Sequence, residues 1–118
     1  MDPLRNQLTD PSLEPLLEVI TTLRQLDREM PAQVLATLFY VATHDDCHKQ
    51  AMEEALEFTA ASGSRNTDWL SDKHRLGKPG LGLIIKTVDP SNRRRQTLKL
   101  TTKGHQLMSQ LRGILYGD

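Results

Sequence analysis

Cysteine occurs once in this sequence of 118 residues, at Cys47, so no disulfide can close within the chain. A lone thiol fits a reducing compartment. Long apolar runs are missing too. The longest mostly apolar stretch, residues 34–42, falls far short of the roughly 20 residues that a membrane-spanning helix needs. The opening residues Met1-Asp2-Pro3-Leu4-Arg5 lack the basic-then-apolar order of an export signal. A soluble, cytoplasmic protein with no membrane association is therefore expected. The sequence also holds no catalytic constellation. No serine sits in Gly-x-Ser-x-Gly, and Gly77-Lys78-Pro79-Gly80-Leu81-Gly82 lacks the spacing of a phosphate loop. Glu53, Glu54 and Glu57 read as a solvent-facing helix surface and not as paired acids. Neither an enzyme nor a cofactor is expected.

Net charge is absent as well, at +0, but the balance conceals an asymmetry. Residues 1–61 sum to −7 and residues 62–104 to +7. A cationic segment beside an acidic remainder is an electrostatic footprint for nucleic acid. The length suits one domain with a modest core.

Taken in order, residues 1–11 contain Pro3 and Pro11 and read as an arm. Ser12 is expected to cap a first helix over 12–29, with Pro15 in its first turn. Its apolar stripe is Leu13, Leu16, Leu17, Ile20, Leu23 and Met30. No second terminal helix is expected to cover that stripe, which makes the first helix the candidate for homodimerisation. Pro31 opens a second, largely apolar helix over 31–44. The spacing predicts a third helix over 48–61 and a turn at Ser62-Gly63-Ser64. A fourth helix then runs from Ser64 or Thr67 to about Leu76, with Trp69 and Leu70 inward. Arg65, Asn66, Asp68, Ser71, Asp72 and Arg75 are expected to face outward. The third and fourth helices form a helix-turn-helix.

His44, Cys47 and His48 invite a metal reading, since histidines four apart meet on a helix. The cluster straddles an expected helix break, however, and a structural zinc site takes about four converging ligands. No metal site is expected.

The segment Asp89–Gly104 carries the clearest signal. Leu83 to Val88 is apolar and β-branched, as a strand would be. Arg93, Arg94 and Arg95 follow a polar turn. Thr97, Lys99 and Thr101 then alternate with Leu98 and Leu100, the period of a strand with one buried side. The result is a cationic β-hairpin. Thr101 or Thr102 is placed to cap a last helix bearing Leu107, Leu111, Ile114 and Leu115.

Gly82-Leu83-Ile84, Lys86, Asp89, Asn92-Arg93-Arg94, Leu100-Thr101 and Lys103-Gly104 together resemble the wing of MarR-type winged-helix regulators. Asn92 stands where that family usually has a second Asp, and Lys78-Pro79-Gly80-Leu81 precedes the wing where the recognition helix usually continues. The resemblance spans about residues 33–111. It implies a mainly α fold with a small β-hairpin, in the order α-α-α-α-β-β-α, filling residues 12–118 as a single domain. It also implies a sequence-specific double-stranded DNA-binding transcriptional regulator. The helix over 64–76 would enter the major groove and the wing over 83–101 would hold backbone or minor groove. The candidate DNA-binding residues are Ser64, Arg65, Asn66, Ser71, Arg75, Lys86, Arg93, Arg94 and Arg95. Two other readings are a winged-helix protein-interaction module and DNA binding for replication or partition.

Overall fold

The computed structural model describes residues 10–72 and 79–117. Five helices and three strands lie among them: α1 Glu14–Leu26, α2 Ala32–Thr43, β1 Cys47–His48, α3 Lys49–Leu56, α4 Ala60–Leu70, β2 Ile84–Asp89, β3 Asn92–Leu100 and α5 Thr102–Tyr116. They divide into two compact units. One comprises residues 30–108, and the other residues up to 29 together with those from 109 onward.

The larger unit is built on α2, whose Val34, Thr37, Leu38 and Val41 are buried at the three- and four-residue spacing of one helix face. Met52 of α3, Leu70 of α4, Leu83 and Ile84, Leu98 of β3, and Leu107 and Met108 of α5 complete the core. The sheet is antiparallel in the order β1-β3-β2. The strand β1 has no counterpart in the sequence reading. Only two residues long, it pairs Cys47 with Leu98 and His48 with Thr97. That pairing is why His44 and His48 do not share a helix face. His44 closes α2, where its ring stacks on Tyr40 at 4.0 Å and its Nδ1 lies 3.0 Å from the Tyr40 carbonyl. Among the described residues no three His, Cys, Asp or Glu side chains converge on a metal position.

The boundary between the third and fourth helices also differs from expectation. Glu57 adopts the left-handed conformation (φ 60°) and ends α3, with the Phe58 N–H donating to the Glu53 carbonyl at 2.8 Å. Thr59 then caps α4, its Oγ1 accepting from the Ser62 N–H at 3.1 Å. Ser62-Gly63-Ser64 is thus the first part of a helix and not a turn. Gly63 is there for space: a Cβ at that position would lie 2.0 Å from Glu53 Oε2. Glu53 pairs in turn with Lys49, both nearly buried, and Lys49 Nζ also lies 3.4 Å from the Ala60 carbonyl. A buried ion pair seated on a bare glycine therefore fixes α4 against α3.

At its far end α4 is held by backbone that doubles back along it. The N–H groups of Gly80, Leu81, Gly82 and Leu83 donate to the carbonyls of Asp72, Trp69, Ser71 and Leu70. These carbonyls would otherwise lack partners at a helix end. Thr101 caps α5, its Oγ1 accepting from the Gly104 N–H at 3.0 Å and donating to the Gly82 carbonyl at 2.7 Å. Gly104 lies so close to the wing strand that a Cβ would stand 2.2 Å from the Leu83 carbonyl oxygen, which is the close packing expected there.

In the smaller unit, α1 buries Val19 and Leu23. Ser12 does not cap it; both its hydroxyl and its N–H donate to Asp10 Oδ1, and Leu13 holds the cap position. Leu13, Leu16, Leu17 and Ile20 remain exposed, Leu17 by 67%. Among the described residues no helix is long and apolar enough to cross a membrane.

Candidate nucleic-acid interface

Two features of the larger unit bear on nucleic acid: the outward face of α4 and the tip of the β2–β3 hairpin. The tip begins as a tight turn. Asp89 Oδ1 accepts from the Ser91 hydroxyl at 2.7 Å and from the Ser91 N–H at 2.9 Å. Those bonds, with a smaller contribution from the positive charge of Arg95, hold the Asp89 carboxyl below its ordinary range. Asn92 Oδ1 accepts from the Arg94 N–H at 3.1 Å. Standing in place of a second Asp, Asn92 therefore still braces the turn through backbone.

Pairing then slips. Val88 opposes Gln96, yet the next residue, Asp89, opposes Asn92. Arg93, Arg94 and Arg95 are the three residues left over on β3, and they form a bulge with no counterpart on β2. All three are exposed, and among the described residues neither ion pair involves them. Two shallow clefts of about 290 Å³ each run from this bulge toward the helix-turn-helix, with Arg94, Arg95 and Gln96 on one side and His48, Lys49, Gln50, Ala60 and the acids Glu53 and Glu54 on the other. The cationic tip is thus continuous with the first turns of α3 and α4.

On α4 the outward stripe is Ala61, Arg65, Asp68 and, just beyond the helix, Asp72. Arg65 is exposed and its guanidinium donates to Ser62 Oγ at 2.9 Å. Ser64 is half-buried. Asn66 and Ser71 correct the sequence reading: each is only 7% exposed. Asn66 belongs to the inward face with Gly63, Thr67 and Leu70, and its Nδ2 has no hydrogen-bond partner. Ser71 donates to the Asp68 carbonyl at 3.1 Å as the chain leaves the helix. Lys86 is also not free to extend the cationic surface, because its Nζ lies 2.5 Å from Asp68 Oδ1. Arg75, with the end of the expected fourth helix, lies outside the described residues. Gln50 and Ser62, exposed or half-exposed polar residues on the first turns of α3 and α4, lie beside these positions although the sequence does not point to them. Their places follow from the true helix starts, of which that of α4 is marked only by the Thr59 cap.

Cys47 is half-buried on β1, its Sγ 4.0 Å from the Leu98 carbonyl. Burial first, and then the nearby acids Asp46 and Asp45, push its thiol pKa up. The thiolate is the reactive form and is correspondingly scarce near neutral pH. Alkylation by iodoacetamide at about pH 7.5, followed by mass spectrometry, is expected to be much slower in the folded protein than in urea. Equal rates would contradict this environment.

A helix-turn-helix followed by a hairpin, with a short third strand entering from before α3, defines a winged-helix protein. Solved structures of this type superpose on most of the chain. MepR of S. aureus, in complex with DNA, is 25% identical with a TM-score of 0.69, covering 87% of this chain and 77% of that one. The transcriptional repressor CouR, bound to a 23-mer DNA duplex, is 21% identical with a TM-score of 0.58, covering 85% of this chain and 66% of that one. MarR of E. coli in its apo form is 18% identical with a TM-score of 0.61, covering 96% and 72%. The chain has the fold of the MarR-type winged-helix regulators, as the wing residues implied. No protein-family model matches the sequence, and no curated protein does either.

Proposed function

We propose that this protein is a non-enzymatic transcriptional regulator that binds double-stranded DNA as a homodimer in the cytoplasm. α4 lies in a major groove, presenting Ser62, Ser64 and Arg65, and the wing grips the adjacent backbone or minor groove. The observation that carries this reading is the arginine bulge. Three guanidinium groups leave the sheet together, none of them in an ion pair among the described residues, at the tip of a fold that in MepR and CouR is seen on DNA. Arginine is suited to phosphate contacts and to narrow minor grooves.

The test is a salt titration of the wild type and of the Arg93→Ala/Arg94→Ala variant on matched duplexes. Each phosphate neutralised releases counterions, giving a log–log slope of about −0.9 per phosphate on duplex DNA. The variant is expected to bind all duplexes more weakly by similar factors. Its slope should be shallower by about one for each phosphate that a subunit no longer neutralises, and by about twice that for a dimer. Thermal stability should hardly change, because all three side chains are exposed. Equal affinity and equal slope in both proteins would remove the wing from the interface and favour a protein-interaction module.

A further inference from the structure

The outward face of α4 carries an acid where a DNA-binding helix has most reason to avoid one. Asp68 lies one turn beyond Arg65, on the same stripe, half-buried between the fully buried Thr67 and the half-buried Trp69. A carboxylate facing phosphates is repulsive in proportion to its proximity. Here that repulsion is answered locally. Lys86 reaches from β2 of the wing to Asp68 Oδ1 at 2.5 Å, and the two side chains keep 19% and 27% of their surface exposed. The lysine occupies one carboxylate oxygen and cancels the charge. Oδ2 has no hydrogen bond among the described residues, and on a carboxylate it accepts only.

Resting on the DNA-binding reading above, we propose that Asp68 is a specificity-determining residue that accepts a hydrogen bond from the amino group of a cytosine in the major groove. Lys86 is the positioning residue that makes this possible. The base edges single out cytosine. A free carboxylate oxygen needs a donor, and in the major groove only the amino groups of cytosine and adenine donate. Adenine places the N7 acceptor beside its amino group, and two acceptors facing each other repel. Cytosine has a carbon-bound hydrogen in that place. Guanine and thymine offer the carboxylate acceptors or a methyl group alone. Arg65, one turn earlier on the stripe, has the opposite preference, for guanine. The pair would therefore read neighbouring bases with complementary chemistry, an arrangement that neither ordinary phosphate contact nor a purely structural ion pair requires.

The experiment selects bound duplexes from a random pool with the wild type, Asp68→Asn, Asp68→Ala and Lys86→Met. The wild type is expected to show a cytosine preference at one position of each half-site. Asp68→Asn keeps the side chain's shape but gains a donor, and is expected to move that preference toward adenine, which asparagine reads through N6 and N7. Asp68→Ala should reduce discrimination at that position by roughly ten-fold while preferences elsewhere persist. Lys86→Met should weaken the cytosine preference, since the carboxylate loses the partner that orients it, and should bind every duplex more weakly, since the charge then meets phosphates uncompensated. If Asp68→Asn and Asp68→Ala bind DNA with the wild-type preference at every position, the ion pair is structural and the inference fails, while the DNA-binding reading stands. If the wild type selects no duplex at all, both fall.

Discussion

Gly63→Ala is expected to lower the melting temperature by roughly 10–20 °C, although alanine is the better helix former by up to about 1 kcal/mol. The new methyl group would occupy a point 2.0 Å from Glu53 Oε2 and 2.6 Å from the Glu53 Cγ and Cδ atoms. Glutamate is flexible, so the clash is relieved if the side chain swings away. That movement breaks the buried pair with Lys49, and an uncompensated buried charge costs about 3–5 kcal/mol. Less the gain in helix propensity, the net is roughly 2–4 kcal/mol. DNA affinity should fall as well, because Lys49 also meets the Ala60 carbonyl and so sets the start of α4. Thermal unfolding followed by circular dichroism measures the first effect. The decisive comparison is a double-mutant cycle with Glu53→Ala. Once the carboxylate is gone the methyl group has room, so Gly63→Ala should become nearly neutral or slightly stabilising in that background. If it costs the same in both backgrounds, the glycine is not there to seat the ion pair.

Leu16→Asp with Ile20→Asp is expected to convert a dimer into a monomer. α1 and its cap leave Leu13, Leu16, Leu17 and Ile20 exposed by 58%, 55%, 67% and 39%. The four fall within about two turns, and such a contiguous apolar stripe marks an interaction surface more often than a scattered leucine does. Burying each such side chain is worth roughly 1.5–3 kcal/mol, so two copies of the stripe facing each other supply enough to offset the entropy of association. Light scattering at micromolar concentration should give twice the chain mass for the wild type and the single mass for the variant. The variant should also lose the advantage of paired half-sites and bind a two-site duplex no better than a single one. A wild type that stays monomeric at high concentration would exclude this interface. A variant that remains dimeric would place the dimer interface elsewhere than α1.

The wing is legible in the sequence because its signals are local. Alternation at Thr97–Leu100 fixes a strand, and Asp89-Pro90-Ser91-Asn92 is turn chemistry. Both appear where the residues place them. The slip that sets the arginines outside the ladder is not legible, since nothing in Arg93-Arg94-Arg95 distinguishes a bulge from a strand. The helix-turn-helix is legible as a motif but not in its position. Its true break falls at Glu57, a residue with no preference for the left-handed conformation it adopts, so no letter marks it. Ser62-Gly63-Ser64 has the composition of a turn, yet Gly63 is chosen for the neighbour it admits. Polarity alone turns Asn66 outward; the spacing of Gly63, Thr67 and Leu70 turns it inward. The two-residue β1 is below the length at which any period can be seen. Asp68 and Lys86 lie eighteen positions apart, and only the fold brings them together.

The slip in pairing also has a bearing on how the wing can change over time. Inserting one residue into a paired strand turns every later side chain to the opposite face. In β3 the pairs on either side of the slip are fixed independently, Asp89 with Asn92 before it and Val88 with Gln96 after it. A residue added or deleted among Arg93, Arg94 and Arg95 is absorbed between those anchors, and Leu98 still points into the core. The tip can therefore grow, shrink or exchange its charges by small insertions and deletions while the domain beneath it is inherited intact. Lineages carrying this fold are free to retune their grip on the phosphate backbone one arginine at a time.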